Sequence, residues 1–388
     1  MKKFYVSAIY TSPYWSMGGN TKILIEIINN LNHKFKFIVF TTEPLTFKDN
    51  LKMTKNIKIV KIKYPFKKFN YLSHLSEIKY ITRQYKKYFT KHKLTKEDYF
   101  FSQSDFAPDV VPVAKLKDKY KFIWITSLFL FIPNPFENLL NNYKFPFFKY
   151  IIYYFYQRYI FSKIVAKGDL FLITNDYDRK YFPQKFKNRI FAIYGGVNPE
   201  QIEEARKHWK GNKIYDAVYC SRLHPQKGIS GILDIWRMVL EKKPNAKLAI
   251  IGNGEKSYEE FLKDKAKNLR IDKNIKWFGY INGVEKYKIY LQSKIFLHGT
   301  IYDNNGMVAA EALCTGLPVI MYDLPQLKEI YNYGCIKIGS NNKSEYAEKV
   351  IDLLSFNKYV RLKNDKKLLK YWDWKQRVSL FLEFSCSS

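Results

Sequence analysis

The chain has 388 residues, of which 47% are hydrophobic, so its length and composition exclude global disorder and indicate two domains. The formal net charge of +31 favours an anionic partner: a nucleic acid, an anionic membrane surface or a phosphorylated substrate. None of the four cysteines lies in a CxxC pair or a Cys/His cluster, so no metal site is predicted, and this usage suits a reducing cytoplasm.

The N-terminus predicts neither a signal peptide nor a membrane anchor. After Met1-Lys2-Lys3 the chain enters a short apolar strand, without the apolar region and cleavage site of a signal peptide. No window of about 18 uninterrupted apolar residues occurs, so no membrane span is expected. These features predict a cytoplasmic protein, and peripheral attachment to the inner face of the membrane is compatible with this prediction.

The first half alternates apolar runs with helical segments. Residues 4–10 are a predicted strand, a loop with Gly18 and Gly19 follows, residues 21–31 have the apolar spacing of a helix, and residues 35–41 are the next strand. Strand, glycine turn, helix and strand form a βαβ unit, which implies a parallel sheet. Further strands are predicted over residues 57–62, 99–103, 121–126, 170–174 and 190–194.

Residues 143–164 form an aromatic and basic segment that has two interpretations. It could be a surface helix that enters the lipid headgroup layer, with its Lys and Arg side chains meeting lipid phosphates. It could equally be a buried helix whose long basic side chains reach solvent. Its polar residues do not form one clean stripe, which weakens the membrane interpretation, whereas the net charge supports it.

The second half repeats the α/β pattern. Strands are predicted over residues 214–220, 246–251, 275–278, 295–298 and 318–321, and a helix over residues 229–240. Two successive α/β halves predict two doubly wound, Rossmann-like domains facing a cleft, with a boundary near residues 195–198.

Residues 296–325 carry the most informative pattern in the chain. An apolar run leads into a glycine-bearing turn over residues 302–306, and a helix opens near Met307. A helix N-terminus behind such a turn can hold phosphate, although helices also begin after such turns for capping alone. Asp303 lies in the turn and Glu311 about one helical turn inside the helix, and a ligand with both phosphates and hydroxyls, such as a nucleotide sugar, suits this combination.

Four segments taken together resemble one known family. Residues 221–228 are similar to its "G/S-R-L-x-x-x-K-G" motif, residues 250–255 to its "I-x-G-x-G" turn, residues 275–281 to its "V-x-F-x-G-x-V" segment, and residues 303–318 to its "E-x7-E-A-x-x-x-G-x-P" segment. The family is that of the family-4 retaining glycosyltransferases of the GT-B fold, glycosyltransferases group 1. The resemblance spans almost the whole chain and is specific over residues 219–325.

The resemblance implies a domain organisation and a donor. It implies an acceptor-binding domain over residues 1–197, a nucleotide-sugar-binding domain over residues 198–370, and a C-terminal helix over residues 371–388 that packs back on the first domain. It also implies a nucleotide-diphosphate sugar as substrate, UDP- or GDP-linked, with no separate cofactor. The segment Asp303-Asn304-Asn305 lacks the second carboxylate of a DxD-type pair suited to Mg²⁺, so a metal-independent reaction is expected.

The resemblance also assigns roles to residues. Arg222 and Lys227 would hold the diphosphate, Glu311 the ribose hydroxyls and Asp303 the hydroxyls of the donor sugar. Donor-binding roles fall on Gly19, Gly279, Tyr280, Ile281, Asn305, Gly306, Met307 and Val308.

Three departures from the family pattern concern the sugar and acceptor. Asp303 stands where the family usually has Glu, and residues 304–305 are Asn-Asn where it has Gly and an aromatic residue. The His that many members carry after the strand at residues 121–126 is missing, and Asp105 is a candidate for the acceptor side by position only.

The sequence therefore predicts a retaining hexosyltransferase. With the net charge and the aromatic segment, it predicts an acceptor hydroxyl on a lipid-linked glycan or glycolipid at the membrane surface. Two alternatives stay open: a basic GT-B enzyme that acts on DNA or protein, and a non-catalytic protein that binds nucleotide sugars or nucleic acid. DNA is disfavoured because no helix resembles a DNA-reading motif.

Overall fold

The structure is a computed structural model that describes residues 1–11, 18–63, 71–135, 147–355 and 366–387. The chain divides into two compact units, one of Met1–Ile193 with Val378–Ser388 and the other Tyr194–Arg377. The division lies just before the expected boundary at residue 197. Val197 belongs to the second unit because its N–H donates to the Trp372 carbonyl (2.7 Å) and its carbonyl accepts from the Trp374 N–H (3.2 Å).

The first unit is built on a seven-stranded parallel sheet with the order β3-β2-β1-β4-β5-β6-β7. Each strand predicted in this half overlaps an observed one. The strands are β1 Lys3–Ala8, β2 Lys36–Thr41, β3 Ile57–Lys61, β4 Tyr99–Ser102, β5 Ile123–Leu128, β6 Leu170–Ile173 and β7 Ile190–Ala192. The helices are α1 Gly19–Leu31, α2 Pro44–Asn50, α3 Tyr71–Lys91, α4 Ala107–Lys117 and α5 Phe147–Lys167.

Aromatic side chains fill much of the core of this unit. Phe4 stacks on Tyr99 with 5.4 Å between ring centroids, and Phe40 contacts Tyr85 at 4.8 Å. All four side chains are buried. The high aromatic content of the chain is therefore used here for packing, where each ring buries a large apolar area.

Helix α5 covers most of the aromatic segment, and residues 143–146 of that segment lie outside the described residues. Ile160 and Ile164 are buried on one face. Ile152, Phe155 and Tyr159, spaced as neighbours on a helix surface, are exposed by 48%, 57% and 57%. One side of helix α5 thus packs into the core of the first unit, and a different side of the same helix exposes apolar side chains.

The second unit contains a six-stranded parallel sheet with the order β10-β9-β8-β11-β12-β13. Its strands are β8 Tyr215–Cys220, β9 Leu248–Ile251, β10 Ile275–Trp277, β11 Ser293–His298, β12 Val319–Tyr322 and β13 Cys335–Ile338. Its helices are α6 Pro199–Lys207, α7 Ile229–Lys242, α8 Lys256–Asn268, α9 Gly283–Leu291, α10 Met307–Cys314, α11 Lys343–Ser355 and α12 Lys366–Trp372. Strand β13 is the one strand of this sheet that the sequence pattern does not predict.

The last helix, α13 (Trp374–Ser387), begins in the second unit, and from Val378 onwards its residues belong to the first. Phe191 of β7 contacts the rings of Phe381 and Phe384 at 5.9 and 5.4 Å. The predicted return of the C-terminal helix to the first domain is confirmed. None of the helices within the described ranges is long and apolar enough to cross a membrane.

The packing of α13 predicts a specific loss of stability. Phe381 is 1% exposed and Leu380, beside it on the same helix, is 40% exposed. Phe381→Ala should destabilise the first unit by about 3–5 kcal/mol because it removes a buried ring and leaves a cavity. Leu380→Ala should change stability by less than about 1 kcal/mol. Urea unfolding of both variants measures this, and equal effects would show that α13 is not anchored by Phe381.

Candidate functional site

The strand order of the second unit marks the place where a ligand site is expected. From β8 the chain adds β9 and β10 on one side, and then β11, β12 and β13 on the other. In open parallel sheets, ligands bind at the carboxyl ends of the strands where the order reverses, which here is between β8 and β11. The loops that follow these two strands contain Arg222, Lys227 and Asp303.

Two glycines allow these loops to touch. A Cβ on Gly228 would lie 1.8 Å from the carbonyl oxygen of Gly299, and Gly228 has φ +69°. A Cβ on Gly252, after β9, would likewise lie 1.8 Å from the carbonyl oxygen of Ser221. Only glycine fits these positions, so the glycines of the first two motifs serve the close approach of the loops.

Lys227 and Asp303 meet at this junction. The Lys227 Nζ donates to Asp303 Oδ2 at 2.8 Å, and both side chains are largely buried. The Gln226 Nε2 also donates to the Tyr302 carbonyl at 2.8 Å, which ties the two loops together. Burial alone would raise the pKa of Asp303, but the Lys227 charge and His298 outweigh it and hold that pKa well below its usual range. The carboxylate is therefore ionised and ready to accept hydrogen bonds.

The turn before α10 is organised by Asp303 itself. Its Oδ1 accepts from the N–H groups of Asn304 (2.9 Å) and Asn305 (3.3 Å). The Asn305 N–H, predicted to hold the donor sugar, is thus engaged within the turn, as Asp side chains commonly do. Helix α10 has no side-chain cap at its N-terminus, so the N–H groups at Met307 and Val308 are the donors it presents.

Glu311 is held by a lysine that the sequence analysis did not single out. The Lys286 Nζ on α9 donates to Glu311 Oε1 at 2.7 Å, and the side chains are 9% and 13% exposed. Burial alone would lower the pKa of Lys286, but the Glu311 carboxylate more than offsets this and raises it.

Several buried polar atoms around this turn have no hydrogen-bond partner among the described residues. They are Nδ1 of His298, both side-chain amide atoms of Asn305, and Oε2 of Glu311, whereas Nε2 of His298 lies 3.7 Å from Asp303 Oδ2. Buried polar groups are nearly always hydrogen-bonded, and leaving one unpaired costs about 1–3 kcal/mol. Their concentration around one turn indicates that the site is built to meet a polar ligand rich in donors and acceptors.

Other predicted donor residues lie on loops at the same edge of the sheet. Arg222 is exposed and makes no hydrogen bond or ion pair within the described part of the chain. Gly279 has φ +69° and its carbonyl accepts from the Gly252 N–H at 2.8 Å, while Tyr280 is 43% exposed and Ile281 half-buried. Arg222 thus lies outside the paired cluster of Lys227 and Asp303.

Two predicted residues belong to the first unit. Gly19 opens α1 and is exposed. Asp105 follows β4, and its Oδ2 accepts from Gln157 Nε2 on α5 at 2.7 Å. Burial raises the pKa of Asp105 to about 6. Asp109, which the sequence analysis missed, is also buried, and burial raises its pKa to about 7 although Ser7, Ser104 and the Ile9 N–H bond to it.

No group of three His, Cys, Asp or Glu side chains within the described ranges is arranged to hold a metal ion.

Residues 200–368 match the family described as glycosyl transferases group 1. The matched residues lie within the second unit. The family resemblance found in the sequence motifs is confirmed at this level, and the family-4, retaining assignment stays a prediction.

Three relatives are similar to parts of this chain. An uncharacterised glycosyltransferase of Methanocaldococcus jannaschii is 25% identical over 48% of this chain and 51% of its own length. The alpha-monoglucosyldiacylglycerol synthase of Streptococcus pneumoniae is 27% identical over 31% of this chain and 28% of its own. A UDP-N-acetylglucosamine–peptide N-acetylglucosaminyltransferase subunit of Streptococcus agalactiae is 26% identical over 46% and 33%. The matches span about half or less of each relative's length.

Solved structures match over the whole chain. Sucrose-phosphate synthase of Thermosynechococcus elongatus has a TM-score of 0.79 at 14% identity, with 100% of both chains covered. HepE of Anabaena, in complex with UDP and glucose, has a TM-score of 0.73 at 14% identity with the same coverage. With the two parallel sheets described above, these likenesses confirm the predicted GT-B fold class.

The loop contact makes a prediction about stability. Gly228→Ala should destabilise the second unit by more than about 3 kcal/mol, since it adds a steric clash with Gly299 to the cost of a left-handed residue. Gly211→Ala is the matched control: Gly211 has φ +87° and open space around its Cβ position, so it should lose only about 1–2 kcal/mol. Thermal and urea unfolding compare the two, and equal losses would contradict the close contact.

Proposed function

We propose that this protein is a retaining glycosyltransferase that moves a hexose from a nucleoside diphosphate sugar to an acceptor hydroxyl. The observation that carries the proposal is the pairing of Lys227 with Asp303 at the strand-order reversal, beside the buried, unpaired polar atoms of His298, Asn305 and Glu311. A cation, an ionised carboxylate and unsatisfied polar groups suit a ligand that joins phosphates to sugar hydroxyls. The likeness to a structure that contains UDP and glucose supports a UDP-sugar.

The charge of the leaving nucleoside diphosphate would be met by protein groups, without an essential metal. Lys227 lies at the junction of the two loops, and Arg222 is exposed on the same loop and free to reach a phosphate. The uncapped N-terminus of α10 adds the N–H groups at Met307 and Val308. Donors aimed at developing negative charge are among the largest contributions that enzymes make to rate.

The two carboxylates would select hydroxyls. Asp303 lies next to Lys227 and so would accept from the sugar attached to the diphosphate, whereas Glu311, further along α10, would accept from the ribose. The loop of Gly279, Tyr280 and Ile281 would flank the base. These assignments place the parts of the donor in one order along the edge of the second sheet.

The configuration at the anomeric carbon is retained when the acceptor oxygen attacks that carbon from the same face that the phosphate leaves. The acceptor oxygen forms a bond to the anomeric carbon as the bond from that carbon to the phosphate oxygen breaks. The acceptor proton passes to the departing phosphate oxygen, so this step requires no protein base to remove it. Asp105, whose pKa is raised to about 6 by burial, is the candidate in the first unit for orienting the acceptor hydroxyl.

We infer that the acceptor is a lipid-linked glycan or glycolipid at an anionic membrane surface. Helix α5 contains no acidic residue, carries Lys and Arg along its length, and exposes Ile152, Phe155 and Tyr159. Apolar side chains flanked by cations suit a headgroup layer. The relative named alpha-monoglucosyldiacylglycerol synthase supports a lipid acceptor, whereas the relative named a peptide N-acetylglucosaminyltransferase subunit supports a protein acceptor as the second candidate.

Turnover of a donor tests the reaction. UDP-, GDP- and ADP-sugars are screened for stabilisation and for hydrolysis or transfer, without added metal. Lys227→Met should lose at least about 2 kcal/mol of transition-state stabilisation, or about thirtyfold in kcat/KM. Lys294→Met is the control, since Lys294 pairs with Asp216 at 2.7 Å where β8 and β11 begin, at the opposite edge of the sheet. Binding without turnover of any donor would favour the non-catalytic alternative.

Vesicle binding tests the membrane surface separately. Phe155→Ser with Tyr159→Ser should weaken co-sedimentation with anionic vesicles by at least about tenfold, because two exposed rings no longer insert. Phe261→Ser is the matched control, since Phe261 is 52% exposed on α8 of the second unit. Unchanged co-sedimentation of the double variant would remove the membrane role of α5 and favour a protein acceptor.

A further inference from the structure

The ion pair of Lys286 with Glu311 differs from the other lysine pair on α9. Lys288, two residues along, pairs with Glu285 at 2.6 Å at the surface, where Glu285 is 67% exposed. Lys286 is only 9% exposed as a side chain and also lies 5.0 Å from the centroid of the Tyr287 ring. One pair is an ordinary surface contact within a helix, whereas the other joins α9 to α10 in the interior.

A buried pair of this kind is not explained by stability. Removing two charges from water is costly, and apolar residues of similar volume often stabilise a protein as well or better. The pair is also incomplete, because Oε2 of Glu311 is buried and has no hydrogen-bond partner within the described residues. An arrangement that fixes one carboxylate oxygen and leaves the other unsatisfied suits a group that awaits a hydroxyl.

We propose that Lys286 is a positioning residue that holds Glu311 so that its remaining hydrogen-bonding capacity selects the ribose diol of the donor nucleotide. This inference rests on the proposed donor site. Lys286 anchors Oε1, which restricts the carboxylate to one place on α10.

The arrangement has a consequence for specificity. Because Lys286 already uses one oxygen, Glu311 has limited capacity left for the two ribose hydroxyls. The nucleotide should therefore be recognised mainly through one hydroxyl, and the loss of that hydroxyl should matter more than the loss of the other. A site that rejects an analogue lacking a hydroxyl does so because its own buried group is then left unpaired.

The test compares UDP with 2′-deoxy-UDP and 3′-deoxy-UDP by calorimetry, with GDP and ADP and their analogues used if UDP does not bind. The wild-type protein should prefer the complete nucleotide over one analogue by about tenfold or more, the size of a charge-assisted hydrogen bond. Lys286→Met should bind UDP more weakly and reduce this preference to about twofold or less, with little change in the affinity for that analogue. Lys286→Arg should restore part of the preference.

The controls separate positioning from other roles. Lys294→Met removes a pair of the same length in the same unit and should leave all three affinities unchanged. If Lys286→Met keeps the wild-type preference, or if it weakens binding of all three nucleotides equally, Lys286 does not act through Glu311 and the proposal is wrong. If Lys286→Met does not fold, Lys286→Gln is measured for the same loss of preference. A wild-type protein that binds no nucleoside diphosphate would instead overturn the proposed function itself.

Discussion

The candidate site depends on the contact between two backbone segments, the loop after β8 and the loop after β11. No side chain fits between Gly228 and the carbonyl of Gly299. Because these loops approach so closely, Lys227 reaches Asp303, which is distant in sequence, and the two form a direct ion pair. The reversal of strand order creates the gap into which such loops converge, and the glycines determine how narrow that gap becomes.

Polar and charged side chains are paired at the amino ends of the strands of the second sheet and partly unpaired near their carboxyl ends. Where β8 and β11 begin, Lys294 and Asp216 form an ion pair with 2.7 Å between Nζ and Oδ1. Where the strands end, His298, Asn305 and Glu311 keep buried polar atoms without partners in the described chain. Such unpaired groups reduce stability, and a chain retains them only where a well-packed core offsets the loss. The buried strands and helices of the second unit supply that core.

Every strand except β13 was predictable because it lies in a short, largely apolar run of the sequence. Strand β13 was missed because three of its four residues are only half-buried and its sequence is not continuously apolar. The place of Asp303 and Glu311 followed from motif spacing. Lys286 did not, since Lys286 and Lys288 look alike in the sequence. The structure separates them: Lys286 is buried against Glu311 of α10, whereas Lys288 pairs with Glu285 at the surface.

The aspartate at position 303 shows how one methylene group changes a site. Its short side chain turns back to accept from the N–H groups of the next two residues while its other oxygen meets Lys227. A glutamate, with a longer arm, is poorly suited to this local turn, because the turn closes only over the reach of an Asp or Asn side chain. The Asp303 carboxylate therefore reaches less far than a glutamate carboxylate would, but its hydrogen bonds hold it in one place. The amide of Asn305, two residues along, is buried and has no hydrogen-bond partner within the described residues. The departure from the family pattern at these positions is best understood as one coupled change in the proposed sugar pocket, in which a fixed carboxylate and a polar amide replace a longer carboxylate and an aromatic ring.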